Sequence, residues 1–164
     1  MERISNATIG WNGLLPSLET AITNWQPGAQ KNELAYSNSL ASHLRAVLPA
    51  DMQVQREYRH EGTTCDLCVM FAGFLLVSED RIFIEVKRNL RKKADCDRLV
   101  GQIEGLKPKS NKIVLVLIGD TDPALVGRLR SQFRPYLEND TFLGTTGAFR
   151  IVVVDQRANE GQAS

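Results

Sequence analysis

The chain has 164 residues, of which 43% are hydrophobic and 24% charged, and its formal net charge is +1. Such a composition suits one soluble domain with a real core and excludes a fibrous, low-complexity or largely disordered chain. A charge near zero argues neither for nor against nucleic acid, so the placement of the charges carries the information.

In chain order, residues 11–25 show mixed periodicity and are expected to form one or two short helices, closed by Gln26-Pro27-Gly28; residues 1–28 read as an N-terminal helical extension. Over residues 30–48, Leu34, Leu40, Ala41, Leu44, Val47 and Leu48 recur at three and four, which predicts an amphipathic helix stopped by Pro49. Three strands are expected over 53–58, 64–71 and 81–87, with Glu61-Gly62 as the first turn and 74–77 as an added hairpin arm. A helix follows over 95–106, then the apolar run Ile113-Val114-Leu115-Val116-Leu117-Ile118, whose lack of alternation predicts a strand covered on both faces. Pro123 opens a helix expected to run to about residue 137, residues 150–154 form a last strand, and 156–164 a flexible tail. The fold class is α/β, a central mixed sheet flanked by helices in the order α-βββ-α-β plus a C-terminal α-β, in a single domain over 1–155.

Three cysteines, Cys65, Cys68 and Cys96, are an odd number without framework spacing, which speaks against a disulfide-stapled secreted domain and for a reducing cytoplasm. Cys65 and Cys68 form a C-x-x-C, but no second ligand pair exists, and strand alternation would point their side chains to opposite faces. Met1-Glu2-Arg3-Ile4 lacks the basic-then-apolar pattern of an export signal, and no apolar run approaches the roughly 20 residues that span a bilayer. Neither export nor a membrane partner is expected.

The chemistry concentrates in Glu85-Val86-Lys87, at the end of the apolar segment Ile82-Phe83-Ile84. With a side-chain period of two, Glu85 and Lys87 share one face while Ile82, Ile84 and Val86 take the other. Asp66 repeats the anomaly, a lone acid within Cys65-Asp66-Leu67-Cys68-Val69-Met70-Phe71. Burying a carboxylate is costly unless a cation or donor compensates. A hard divalent ion would do so, and Mg²⁺ is commonly held by one or two carboxylates with water and substrate phosphate. The bland readings are a solvent-facing strand-end acid for Asp66 and an exposed ion pair, about 0 to 1 kcal/mol, for Glu85 and Lys87. Glu33 lies on the stripe of Ser37, Leu40, Leu44 and Val47, so its charge is expected to face the sheet; a dipole role in the first helical turn is the alternative. Directly behind the acids stand Arg88, Arg91, Lys92, Lys93 and Arg98, a candidate phosphate-contacting run or simply a solvated face. His43 and His60 form no triad pattern, and Leu117-Ile118-Gly119-Asp120 has a faint dinucleotide-site look but no glycine-rich phosphate loop after a first strand.

On Glu33, Asp66, Glu85-Val86-Lys87 and Gln102, the chain resembles the PD-(D/E)xK nuclease superfamily, the restriction-endonuclease-like fold. Its core of helix, three strands, helix and strand matches the order above, and the resemblance covers most of the chain up to Ile118. Cys65 stands where the namesake motif has proline. The resemblance implies a Mg²⁺-dependent endonuclease, with Mn²⁺ able to substitute, acting on DNA rather than RNA; a chain this short is expected to find its substrate through its own loops, as a homodimer or in a larger complex. It implies that Asp66, Glu85 and the Val86 carbonyl ligate the metal, that Lys87 activates or orients the attacking water, that Glu33 assists, and that Gln102 positions the nucleophile or the strand. The ion would stabilise charge on the phosphoryl oxygens and acidify a water. A catalytically reduced member of the fold serving as a binding or assembly subunit, and a protein-binding α/β domain held by a structural ion-pair network, are the alternative readings.

Overall fold

A computed structural model describes residues 2–5, 13–71, 81–107, 112–137 and 149–154. The expected hairpin arm at 74–77 and the tail at 156–164 lie outside these residues, as does Trp11.

Helix α1 spans Leu14–Thr23 and α2 spans Glu33–Val47. Asn32 caps α2 by accepting the Ala35 N–H at 2.9 Å, and Leu48, held extended before Pro49, ends it. Strands β1, Met52–His60, and β2, Thr63–Phe71, form a hairpin whose two-residue turn has φ 46° at Glu61 and 77° at Gly62, the paired positive values that match strand twist. After β3, Arg81–Arg88, come α3, Lys93–Leu106, and β4, Lys112–Ile118. Asp122 caps α4, Pro123–Gln132, with Pro123 in its first turn; α5, Arg134–Leu137, and β5, Phe149–Val154, complete the order. The continuous helix expected over 123–137 is broken at Phe133, because Pro135 has no N–H to continue the ladder. Phe133 instead buries its ring 4.7 Å from that of Phe149.

The five strands lie in the order β1-β2-β3-β4-β5, antiparallel across β1, β2 and β3 and parallel across β3, β4 and β5. Each face carries its own core. On one, α1 and α2 cover Leu67, Val69, Ile82, Ile84, Val86, Val114 and Val116. On the other, α3 and α4 cover Phe83, Ile113, Leu115 and Leu117. This double cover is why β4 reads as an unbroken apolar run. The N-terminal segment is integral to the first core through Leu15, Leu18 and Ile22, and Glu19 of α1 meets the buried Arg150 of β5 at 3.0 Å. Among the described residues, no helix is long and apolar enough to cross a membrane.

One irregularity places the site. Met52 and Val54 on β1 and Leu67 and Val69 on β2 face the first core, whereas Tyr58 and Cys65 face the second. The alternation therefore changes phase on both strands at one level, between the pairs Arg56↔Leu67 and Tyr58↔Cys65, where Glu57 takes a φ of 47° and lies opposite Asp66. Strand alternation alone separates Cys65 from Cys68. The phase change corrects that expectation, bringing both thiols into the second core, where burial raises their pKa, that of Cys68 to about 12.

Candidate metal and phosphoryl-transfer site

The ladder between β2 and β3 ends at Leu67↔Ile84, so Asp66 and Glu85 are the first residues past it on neighbouring strands. β3 continues to Arg88 with β4 alone paired along its other edge, which leaves the Val86 N–H facing the gap. Asp66 closes that gap: its Oδ2 accepts the Val86 N–H at 2.8 Å. A residue's N–H and C=O leave a strand on the same edge, so the Val86 carbonyl is directed here as well.

Both carboxyl groups are partly buried. Burial raises the pKa of Asp66, with the charge of Glu33 adding to it, while the Val86 N–H, the hydrogen bond with Glu85 and the charge of Lys87 pull the other way. Glu85 is raised to about 8, first by burial and then by the Asp66 charge beside it. Without metal, burial and the closeness of the two acids thus favour a shared proton between them, with Glu85 as donor and Asp66 as acceptor.

Lys87 projects from the same face of β3 as Glu85 but is engaged from across the molecule. Its Nζ lies 3.2 Å from Glu33 Oε2, and the same Oε2 accepts the Arg88 N–H at 3.0 Å. Glu33 therefore reaches the sheet as its helical stripe predicted, and its immediate partners are Lys87 and the end of β3. Arg88 folds back onto α2, donating to the Lys31 carbonyl at 2.9 Å with its guanidinium 5.7 Å from the centre of the Tyr36 ring.

Asp66, Glu85, Val86, Lys87 and Glu33 are thus brought together. Gln102 is not; it is exposed on α3 and hydrogen-bonds none of them. The basic run is dispersed over surface pairs: Arg91 with Asp120 at 3.3 Å, Lys93 with Asp97 at 3.1 Å, and Arg98 with Asp95 at 3.6 Å. Lys92 caps α3 by its backbone, with its side chain exposed. Sequence reasoning missed the Glu33 contact to the Arg88 backbone and the Arg150–Glu19 bridge, since neither has a local pattern.

As a donor set for a hard cation, the site offers oxygen only: two adjacent carboxylates whose repulsion Lys87 offsets in part, and one carbonyl. That chemistry fits Mg²⁺ or Mn²⁺. Among the described residues no three His, Cys, Asp or Glu side chains form a metal-binding group, consistent with Glu33 being turned toward Lys87. Comparison with family models, curated proteins and solved structures finds no match to this chain.

Proposed function

We propose that this chain is a metal-dependent nuclease with a restriction-endonuclease-like core, hydrolysing phosphodiester bonds of DNA. The observation that carries the reading is the pair Asp66 and Glu85, two partly buried carboxyl groups pressed together where strand pairing stops, with Lys87 on the same face. A purely structural site would not set two acids together out of water, because each raises the cost of ionising the other. The run α2, β1, β2, β3, α3, β4 also follows the order of that superfamily's core.

Asp66, Glu85 and the Val86 carbonyl would hold Mg²⁺ or Mn²⁺, which supplies Lewis acidity toward a phosphoryl oxygen and acidifies water. Asp66 keeps the strand ends in register through the Val86 N–H, so the ligands are set before any ion arrives. Lys87 places positive charge where the pentavalent phosphorus centre gains negative charge, and Glu33 fixes that ammonium and the β3 terminus together.

The test is incubation with supercoiled, branched and single-stranded DNA and with RNA, in Mg²⁺, Mn²⁺, Ca²⁺ or EDTA. Cutting is expected in Mg²⁺ and Mn²⁺ and absent in EDTA. Cutting undiminished by excess EDTA, or none on any substrate, would sink the proposal.

A further inference from the structure

A second feature lies one strand over. Where β4 and β5 end, a cleft of about 770 Å³ opens beside the first turn of α4. Parallel strands collect ligands beyond their carboxyl ends, and a volume of this size matches small-molecule sites rather than single ions. Pro123, Val126 and Val153 give it an apolar wall, and Arg91, Arg130, Asp120 and Asp122 give it charge of both signs. Val153 stays exposed although its strand is otherwise buried. Arg130 is exposed and makes no ion pair among the described residues, and the Oγ1 of Thr121, also at the cleft, is buried without a hydrogen-bond partner.

The cleft joins the acidic site through the backbone. Arg88 pairs with Ile118, the Asn89 N–H donates to the Ile118 carbonyl at 2.9 Å, and the Asn89 side chain accepts the Asp120 N–H at 2.9 Å. Gly119, at φ 78°, makes the turn against the Asn89 side chain, where a Cβ would collide. Lys87 and the cleft thus share one end of the sheet.

We propose that this cleft receives one unpaired nucleotide of the strand held at Asp66 and Glu85, so that the substrate carries a flap, gap or single-stranded segment beside the cut. The proposal rests on the nuclease reading. Phosphate alone does not fit: Asp120 and Asp122 would repel it, and the apolar wall would have no partner. A nucleotide satisfies all three kinds of surface, its phosphate meeting Arg130, its base N–H groups the carboxylates of Asp120, which also pairs with Arg91, and Asp122, which also caps α4, and the face of its base Val126 and Val153. A paired base has its donors occupied and its faces stacked, and cannot use them this way.

Gly127 allows a clean block. It is an exposed residue in the cleft lining, and a Cβ there meets nothing within 4 Å. Gly127→Leu adds a bulky side chain at the cleft lining while improving helix propensity, so a folding defect is not its expected consequence. Gly105→Leu, equally open on α3, serves as the control. The wild-type protein and both variants, without metal, are titrated with deoxyguanosine monophosphate, deoxyguanosine and inorganic phosphate while the amide resonances of Gly119, Asp120 and Thr121 are followed. The expected result is saturable binding of the monophosphate at least about tenfold tighter than either fragment, weakened about tenfold or more by Gly127→Leu and by Arg130→Glu, and unchanged by Gly105→Leu. Phosphate binding as tightly as the nucleotide, unmoved resonances, or full binding by Gly127→Leu would overturn the inference. With Mg²⁺ added, Gly127→Leu should slow cutting of gapped or single-stranded DNA and spare continuous duplex. If it cuts both at the wild-type rate, the cleft inference falls and the nuclease reading stands. If the nucleotide binds but no nucleic acid is ever cut, the nuclease reading falls and takes with it the link between cleft and strand.

Discussion

The acids at the β2–β3 gap and the acids along α3 are the same residue types in opposite circumstances. Asp95, Asp97 and Glu104 each face a lysine or arginine three or four residues away, in water, where such pairs contribute about 0 to 1 kcal/mol. Asp66 and Glu85 face each other, partly out of water, and the nearest cation is shared with Glu33. The contrast teaches that the same residue types are paired with opposite charge along α3, whereas at the end of β3 two acids are set against each other at an electrostatic cost.

The largest effect that sharpens this contrast is catalytic. Lys87→Ala should retain metal and DNA binding yet lose on the order of 10²- to 10³-fold in single-turnover cleavage, because a charge acting in the transition state lowers the chemical step more than affinity. A wild-type rate at saturating DNA and metal would make Lys87 a binding residue only. Asp66→Asn and Glu85→Gln should fall at least as far in Mg²⁺.

Next in size is the pH dependence of apo stability. Glu85 has a folded pKa of about 8, above that of an unfolded glutamate. The folded state therefore keeps a proton that the unfolded state releases, so this group's contribution is fully present in acid and is lost as pH rises from the usual carboxylate range toward about 8. Glu85→Gln removes that slope and should raise stability at pH 8 by about 1 to 3 kcal/mol in urea melts. A mutant less stable than wild type at that pH would favour a structural ion-pair network. By the same linkage, Mg²⁺ must displace the shared proton, so metal affinity should strengthen as pH rises through this range.

A smaller effect is expected from Glu33. Glu33→Gln keeps an acceptor for the Arg88 N–H but loses the charge that holds Lys87, so kcat should fall about tenfold with KM nearly unchanged, whereas Glu33→Ala should also loosen the end of β3. Hydrogen exchange at the Arg88 amide separates the two.

The smallest effects belong to the surface. Lys93→Ala or Asp97→Ala should change stability by no more than about 0.5 kcal/mol. Removing Arg91, Lys92 and Lys93 together should weaken DNA binding equally across sequences and flatten its salt dependence, since phosphate contacts release counterions and read no bases. An unchanged salt slope would return that run to a solvated face.

Periodicity by itself determined most of the secondary structure: the helix stopped by Pro49, the β1–β2 hairpin, the doubly covered β4, and the projection of Glu85 and Lys87 from one face of β3. These are legible because side-chain period, capping and turn chemistry are local properties of a few consecutive residues. Only the tertiary structure decided the rest. That Asp66 stands beside Glu85 depends on strand register and on a phase change shared by two strands; that Glu33 grips Lys87 depends on how α2 docks against a strand end 54 positions further along the chain. The basic run was visible, but its pairing with Asp97, Asp95 and Asp120 was set by helix geometry and by the turn after β4. Of the cleft the sequence offered only the faint dinucleotide-site look of Leu117-Ile118-Gly119-Asp120; the space itself, left where β4 and β5 end beside α4, is fixed by packing between segments that the sequence keeps far apart.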